Sequence, residues 1–366
     1  MDIQAALAYS AETPFELHMV RLDEPRPDEV LVRIRGVGIC HTDLALKSGL
    51  APFPFPAVLG HEGAGVVAAI GSEVKGIEVG DHVVMSFLSC GNCTSCGKQE
   101  PAYCEELMAL NYSGARPDGS ATLHHGDTPL GSHFFCQSSF ATYALARAPN
   151  LVKVPKDLPL ELLGPLGCGI QTGAGAVMRS LDLQAGSTLV IAGAGAVGLS
   201  AVMAAHMRKC RRIIVIEPQA SRRALALELG ASDALDPAGD DLLRDILALE
   251  PRGVCAALDT SGNEKALQTL VSSLATKGVL GLLGSAAHDT RLPGDVNGLL
   301  SRGQSIRGII EGDSDPKVFI PELLEHYRAG RFPFTRMMTT YPFGEINRAV
   351  EEHESGLNVK AILTMD

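Results

Sequence analysis

The 366-residue sequence predicts an α/β fold in two parts, a mainly β region followed by a parallel sheet with helices. Three observations carry this. The first 160 or so residues are short strand-like runs broken by Gly, Pro and Asp. From about residue 187, strand-like runs alternate with helix-like runs, as in βαβ units. The first strand of that alternation ends in the glycine turn Gly193-Ala194-Gly195-Ala196-Val197-Gly198.

In the first part, LVRIRGVGI (31–39), GVVAAIG (65–71) and HVVMSF (82–87) read as strands. HTDLALKSG (41–49) carries a helical stripe and stops at a glycine. The segment 105–139 is long, polar and rich in Gly, Ser and His, and a loop of that length usually has a job at a site or an interface. Its histidines, His124, His125 and His133, share no strand or helix spacing and read as solvated rather than as a metal cluster. In the second part the strand STLVIAG leads through the turn into the helical run AVGLSAVMAAHMRK, then the strand RIIVIE and the helix SRRALALELG. VCAALDTSG and KGVLGLLGS continue the alternation, SIRGII (305–310) is its last strand, and a helix near 316–329, a second helix and a terminal strand follow.

The apolar fraction of 46% suffices for two cores, and the net charge of −11 argues against nucleic acid or an anionic membrane as partner. No apolar run approaches the roughly 18 residues of a membrane span, and MDIQAALAYSAETPF shows no export signal, so the cytoplasm is the expected location.

Four of the nine cysteines, Cys90, Cys93, Cys96 and Cys104, fall in a C-x2-C-x2-C-x7-C run. A chain of this length does not need disulfide staples. A ferredoxin-type run would place the fourth cysteine after a gap of three and follow it with proline, whereas here the gap is seven and Glu105 follows. A closed tetrahedral zinc site suits the spacing best, and a closed site predicts structure rather than catalysis. Cys136, Cys210 and Cys255 have no such partners and read as ordinary thiols.

The turn at Gly193–Gly198 is G-x-G-x-x-G between a strand and a helix, where glycines admit a pyrophosphate to the helix N-terminus. Glu217 ends the next strand, about twenty residues on, where an acid bonds an adenosine ribose and repels a 2′-phosphate. That favours NAD over NADP. Arg222 and Arg223 lie nearby and soften the preference unless they face solvent.

Cys40-His41-Thr42-Asp43 follows a strand, and Gly60-His61-Glu62 opens a glycine-rich turn. A lone Cys or His is most often a bland core or surface residue. Yet G-H-E-x2-G-x5-G-x2-V from Gly60 to Val74, Cys40-His-Thr-Asp, the cysteine quartet, Gly167-Cys168-Gly169 and the fingerprint stand together in one order. In that order and spacing the whole chain resembles the zinc-containing alcohol dehydrogenases of the medium-chain dehydrogenase/reductase family.

The resemblance implies a GroES-like, mainly β catalytic domain over 1–169 and 311–366, and a Rossmann doubly wound parallel sheet over 170–310. It implies two zinc ions per subunit and NAD. Cys40, His61 and Cys168 would hold the catalytic zinc, with Glu62 in or near its shell and Asp43 orienting His61; the quartet would hold the structural one. Thr42 would receive the substrate hydroxyl proton. His41 and Lys360 match basic positions against the cofactor pyrophosphate, and Thr172 and Val197 match positions that touch the nicotinamide. The implied reaction is reversible hydride transfer from a primary alcohol to NAD, giving the aldehyde. The family forms dimers or tetramers, so a homo-oligomer is expected.

One departure concerns the proton relay. Many members carry a histidine five residues after the first zinc cysteine, where this chain has Ala45, so the relay must end elsewhere, at His41 or an ordered water. The tail from 311 onward looks most like the bacterial aryl-alcohol branch, which also takes allylic alcohols. Rival readings are a glutathione-dependent formaldehyde dehydrogenase, a general aliphatic alcohol dehydrogenase and a non-enzymatic nucleotide-binding relative.

Overall fold

The computed structural model describes residues 1–49, 51–239, 241–287 and 289–365. The chain divides into two compact units, one of Met1–Cys168, Asp315–Pro321 and Met338–Asp366, the other of Gly169–Ser314 and Glu322–Met337. The division differs from the expected return to the first domain at 311. The second unit runs on to Ser314 and takes back Glu322–Met337, so the boundary falls inside the helix Pro316–Arg328. The reason is packing. Phe332 and Phe334 are fully buried, Tyr327 stacks on Phe334 at 4.8 Å, and Arg336 pairs with Glu228 of the same unit.

In the first unit, strand Glu29–Gly38 forms the spine of a seven-stranded sheet. Gly63–Ile70 and Lys360–Thr364 lie antiparallel to it, and Tyr143–Arg147 also pairs with it. The register sets Val37 opposite Gly63 and Gly38 opposite Ile362. Cys40, His61, Glu62 and Lys360 therefore come to one end of the sheet, although they are scattered along the chain. A second sheet of five strands includes Asp2–Ala8 and Glu16–Leu22, and one apolar core joins the two sheets through Leu7, Val20, Ile34, Phe140 and Leu363.

The segment 105–139 is not a plain polar loop. It contains a helix, Leu107–Tyr112, and the short strands Leu123–His125 and Thr128–Pro129. Arg116 anchors it from inside. Its guanidinium donates to both Glu29 oxygens at 2.7 and 3.0 Å and to Asp23 at 2.9 Å. His133, expected in solvent, is 3% exposed because the apolar pair Phe134-Phe135 draws this end of the segment into the core.

In the second unit six parallel strands stand in the order Asp233–Leu235, Arg212–Ile216, Thr188–Ala192, Val254–Asp259, Leu274–Leu282, Ser305–Gly308. Thr188–Ala192 is buried along its length, as a central parallel strand covered on both faces must be. The order reverses direction between Thr188–Ala192 and Val254–Asp259, and such a switch opens a crevice at the carboxyl ends of the strands. The glycine turn Gly193–Gly198 leaves the sheet at that point.

Candidate metal centre and dinucleotide turn

Asp43 builds the first centre. It lies in the first turn of the helix His41–Lys47, whose N-cap is Cys40. One carboxylate oxygen accepts from Cys40 N–H at 3.1 Å. The other accepts from Gly60 N–H at 3.0 Å and from His61 Nδ1 at 2.8 Å. One buried side chain thus fixes the backbone of two site residues and the tautomer of His61, turning Nε2 toward Cys168 Sγ at 3.3 Å. Ser86 Oγ donates to the Gly167 carbonyl at 2.6 Å and steadies the turn before Cys168. Thr42 Oγ1 is 3.8 Å from Cys40 Sγ.

Cys40, His61, Glu62 and Cys168 each offer a ligand atom within 4.8 Å of the others. The electrostatics fit a cation. A hydrogen bond from Cys168 holds the Cys40 thiol well below its usual pKa, against the cost of burial and with help from Lys360 and His61. Burial disfavours a charge on His61, but the Asp43 carboxylate and the Cys40 sulfur outweigh it and hold the imidazole well above its usual value. Two sulfurs and an oriented imidazole are the donor set of a catalytic zinc site with three protein ligands.

Glu62 is committed elsewhere. Lys360 Nζ donates to both its oxygens, at 2.9 and 2.7 Å, and to the Ile39 carbonyl at 3.0 Å. Burial works against the ammonium, but Glu62 outweighs it and holds Lys360 well above the usual lysine pKa. This corrects the expectation that Lys360 meets a cofactor pyrophosphate. All three of its N–H donors are used, because its place at the start of the terminal strand points it at Glu62.

The cysteine quartet forms the other metal-ligating cluster among the described residues. Backbone N–H groups donate to its sulfurs, Cys90 to Cys104 at 3.2 Å, Cys93 to Cys90 at 3.3 Å and Glu105 to Cys93 at 3.5 Å. Such donors suit thiolates. Backbone N–H donors from Cys96 and Glu105 draw the Cys93 thiol down to about 6, while burial pushes Cys104 up to about 12. Four thiols within reach of one another fit a closed structural zinc. Cys136, by contrast, is buried and pushed up to about 12, an inert thiol.

In the second unit the fingerprint turn has the form a pyrophosphate needs. Gly193 has φ +99°, and a Cβ on Gly198 would lie 2.0 Å from the Gly193 carbonyl oxygen. A Cβ on Gly195 would point into open space, at the N-cap of the helix Ala196–Met207. That leaves room for an anion against the first helical N–H groups. Glu217 is 4% exposed, and its oxygens accept from Ala194 N–H at 2.8 Å and Gln219 N–H at 2.9 Å. It braces the glycine turn, a role the spacing did not reveal, and each oxygen keeps a lone pair for a ribose diol. Arg223 is tied to the Glu217 and Pro218 carbonyls and to Asp236 rather than left in solvent, and Arg222 is half-buried. Thr172 and Val197 are half-buried, in the helices Gly169–Gly175 and Ala196–Met207. His41 is exposed on the first turn of its helix.

Two features of the metal centre lie outside every motif. The Phe135 ring lies against the His61 imidazole, with centroids 4.6 Å apart and planes at 32°, and Phe134 meets it edge-on at 5.4 Å. Gln137 hydrogen-bonds the backbone on either side of Glu62. The apolar pair Phe134-Phe135 inside an otherwise polar segment was the available signal for the first. Nothing local marks the second.

Comparison with known proteins agrees with this geometry. Residues 26–156 match the alcohol dehydrogenase GroES-like domain, and residues 196–326 match the zinc-binding dehydrogenase domain. The chain is 48% identical to a geraniol dehydrogenase of Castellaniella defragrans over 99% of its length and 98% of that protein. The crystal structure of the benzyl alcohol dehydrogenase of Acinetobacter calcoaceticus superposes with a TM-score of 0.97 at 44% identity, covering 100% of both chains. An alcohol dehydrogenase zinc-binding domain protein from Burkholderia ambifaria gives 0.98 at 48% identity, covering 100% of this chain and 99% of that one.

Proposed function

The chain belongs to the zinc-binding alcohol dehydrogenases built on a GroES-like domain, and on that premise we propose that it oxidises primary aryl or allylic alcohols reversibly to aldehydes with NAD. The observation that carries this reading is the convergence of Cys40, His61 and Cys168 beside the Thr42 hydroxyl. When bound, zinc supplies the Lewis acid that makes the alcohol hydroxyl acidic, and NAD supplies the hydride acceptor.

The chain's own residues do the rest. Cys40 and Cys168 would bring two thiolates to the ion and offset most of its charge. Asp43 accepts the Nδ1 proton of His61, so Nε2 is the nitrogen that would give up its proton and serve as the ligand. Thr42 Oγ1 takes the substrate proton and passes it on. With Ala45 unable to carry a proton, His41, exposed on the same helix, is the next acceptor. Glu217 bonds the adenosine ribose and so favours NAD. The aryl or allylic preference is supported by the two relatives named for geraniol and benzyl alcohol, and by the rings of Phe134 and Phe135 against His61, with half-buried Tyr112 packed on both.

The protein is read as a homo-oligomer in the cytoplasm. The six-stranded sheet ends at Ser305–Gly308, whose outer edge has no partner strand among the described residues, and Leu292, Val296 and Leu300 near it are 73–79% exposed. A Leu300→Glu variant that sediments like the wild type would remove that edge from the interface. No helix among the described residues is long and apolar enough to cross a membrane, and none of the nine cysteines is paired in a disulfide, as in a reducing compartment.

The test is NADH formation across benzyl, cinnamyl, geranyl and short aliphatic alcohols, with NADP in parallel and with glutathione added to formaldehyde. Highest kcat/KM for the aryl and allylic alcohols is expected. Preference for ethanol, or a requirement for glutathione, overturns the assignment.

A further inference from the structure

Gln137 lies in no motif, yet its side chain grips the turn that carries His61. It is 2% exposed. Its amide nitrogen donates to the His61 carbonyl at 2.8 Å, and its amide oxygen accepts from Gly63 N–H at 3.0 Å. The orientation is fixed by chemistry, because a peptide carbonyl only accepts and a peptide N–H only donates. Ser139 Oγ donates to the same amide oxygen at 3.0 Å. From the other edge, Gly38 N–H donates to the Glu62 carbonyl at 3.1 Å. Residues 61–63 are thus held on one side by a strand and on the other by a single side chain that bonds as a strand would.

The same bend also supplies the rings against His61. Four of its non-glycine residues, His133, Phe135, Cys136 and Ser138, have φ between +50° and +62°, which L residues rarely adopt. The bend keeps that shape because it is tied down repeatedly. Ser138 Oγ accepts from Phe134 N–H at 3.0 Å and donates to the Val58 carbonyl at 2.7 Å, and Asn150 donates to the Phe135 and Cys136 carbonyls at 3.3 Å. Strain that is over-determined in this way gathers at functional sites.

Asp43 fixes the Nδ1 end of the imidazole, and the stacked Phe135 fixes the plane of the ring. What remains is the main chain from which the ring hangs. We propose that Gln137 is a positioning residue of the metal centre, setting through the His61 and Gly63 peptides where Nε2 points. The proposal rests on the reading of Cys40, His61 and Cys168 as the catalytic zinc ligands.

The test uses enzyme with cobalt(II) in the catalytic site, whose visible spectrum reports ligand geometry. Gln137→Leu should change that spectrum, release the catalytic metal to a chelator about ten-fold faster or more, and lower kcat far more than it raises KM. Gln137→Glu keeps the acceptor for Gly63 N–H and loses the donor, so it should fall between Gln137→Leu and wild type. Asn347→Leu is the control. It removes a similar two-ended bracket, on the N–H and C=O of Phe15 at 2.8 Å each, and should lower Tm without touching the spectrum. A folded Gln137→Leu with wild-type spectrum, metal release and kcat, and only a lower Tm, overturns the proposal. If Gln137→Leu does not fold, a wild-type spectrum in Gln137→Glu overturns it equally. Wild-type enzyme that takes up no cobalt at Cys40, His61 and Cys168 overturns the metal assignment itself, and this proposal with it.

Discussion

Lys360 Nζ lies 2.7 Å from Glu62 Oε2, and the two side chains are 3% and 0% exposed. The pair sits beside the sulfurs of Cys40 and Cys168, so the ammonium offsets negative charge where three anionic groups meet. A buried pair of this kind owes its worth to being complete. Without Lys360, the buried Glu62 carboxylate would be left beside two sulfurs with no ammonium to offset it.

Lys360→Met should therefore destabilise the protein by about 3–5 kcal/mol, since it strands Glu62. Lys360→Met with Glu62→Leu should recover much of that loss in urea unfolding. A single change costing under about 1 kcal/mol would show that Glu62 is solvated or protonated instead.

His41→Gln should lower turnover and displace its pH dependence, as the proposed passage of the proton from Thr42 to His41 requires. The measurement is kcat against pH. An unchanged profile would hand the role to an ordered water.

Glu217→Ala removes the acceptor of Ala194 N–H together with the proposed ribose contact. The KM for NAD should rise by about ten-fold or more, as expected when a charged hydrogen-bond partner is lost, and discrimination against NADP should shrink. An unaltered KM would mean that the glycine turn holds itself.

His133 is buried, and neither ring nitrogen has a hydrogen-bond partner among the described residues. Burial, with Arg116, Arg147 and Arg26 nearby and only Glu29 opposing, pushes its pKa from an ordinary 6.5 down to about 4. Between those values the unfolded chain takes up a proton that the folded chain refuses, so stability falls as pH drops through that window. The loss is about 3 kcal/mol, at about 1.4 kcal/mol per pKa unit. His133→Asn, which tolerates the left-handed backbone at φ +62°, should flatten the slope of unfolding free energy between pH 6.5 and 4. An equal slope in both proteins would locate the acid sensitivity elsewhere.

Much of this was legible in the sequence because some constraints are local. The glycine turn and its strand–helix setting could be read directly, since a pyrophosphate needs that backbone wherever it occurs. The cysteine quartet could be read because four ligands within one short segment carry their own geometry. Cys40, His61 and Cys168 can be joined only through family resemblance, for sheet register brings the first two together and the turn held by Ser86 brings in the third. Three things were not legible. Lys360 reads as a cofactor cation in the sequence because its partner Glu62 lies 298 residues away. The histidines of segment 105–139 read as solvated because the segment is polar in composition, whereas the apolar pair Phe134-Phe135 draws His133 into the core without any polar partner for its ring. Gln137 carries no signal, since an amide that mimics a strand looks like any other glutamine.

The most direct test of the account is the zinc content of the protein set beside its alcohol-dependent NADH formation. Wild type should hold two zinc ions per chain. Cys168→Ser should hold one, keep its fold and lose NADH formation with benzyl alcohol. A Cys168→Ser protein that keeps both ions and turns over at the wild-type rate would contradict it.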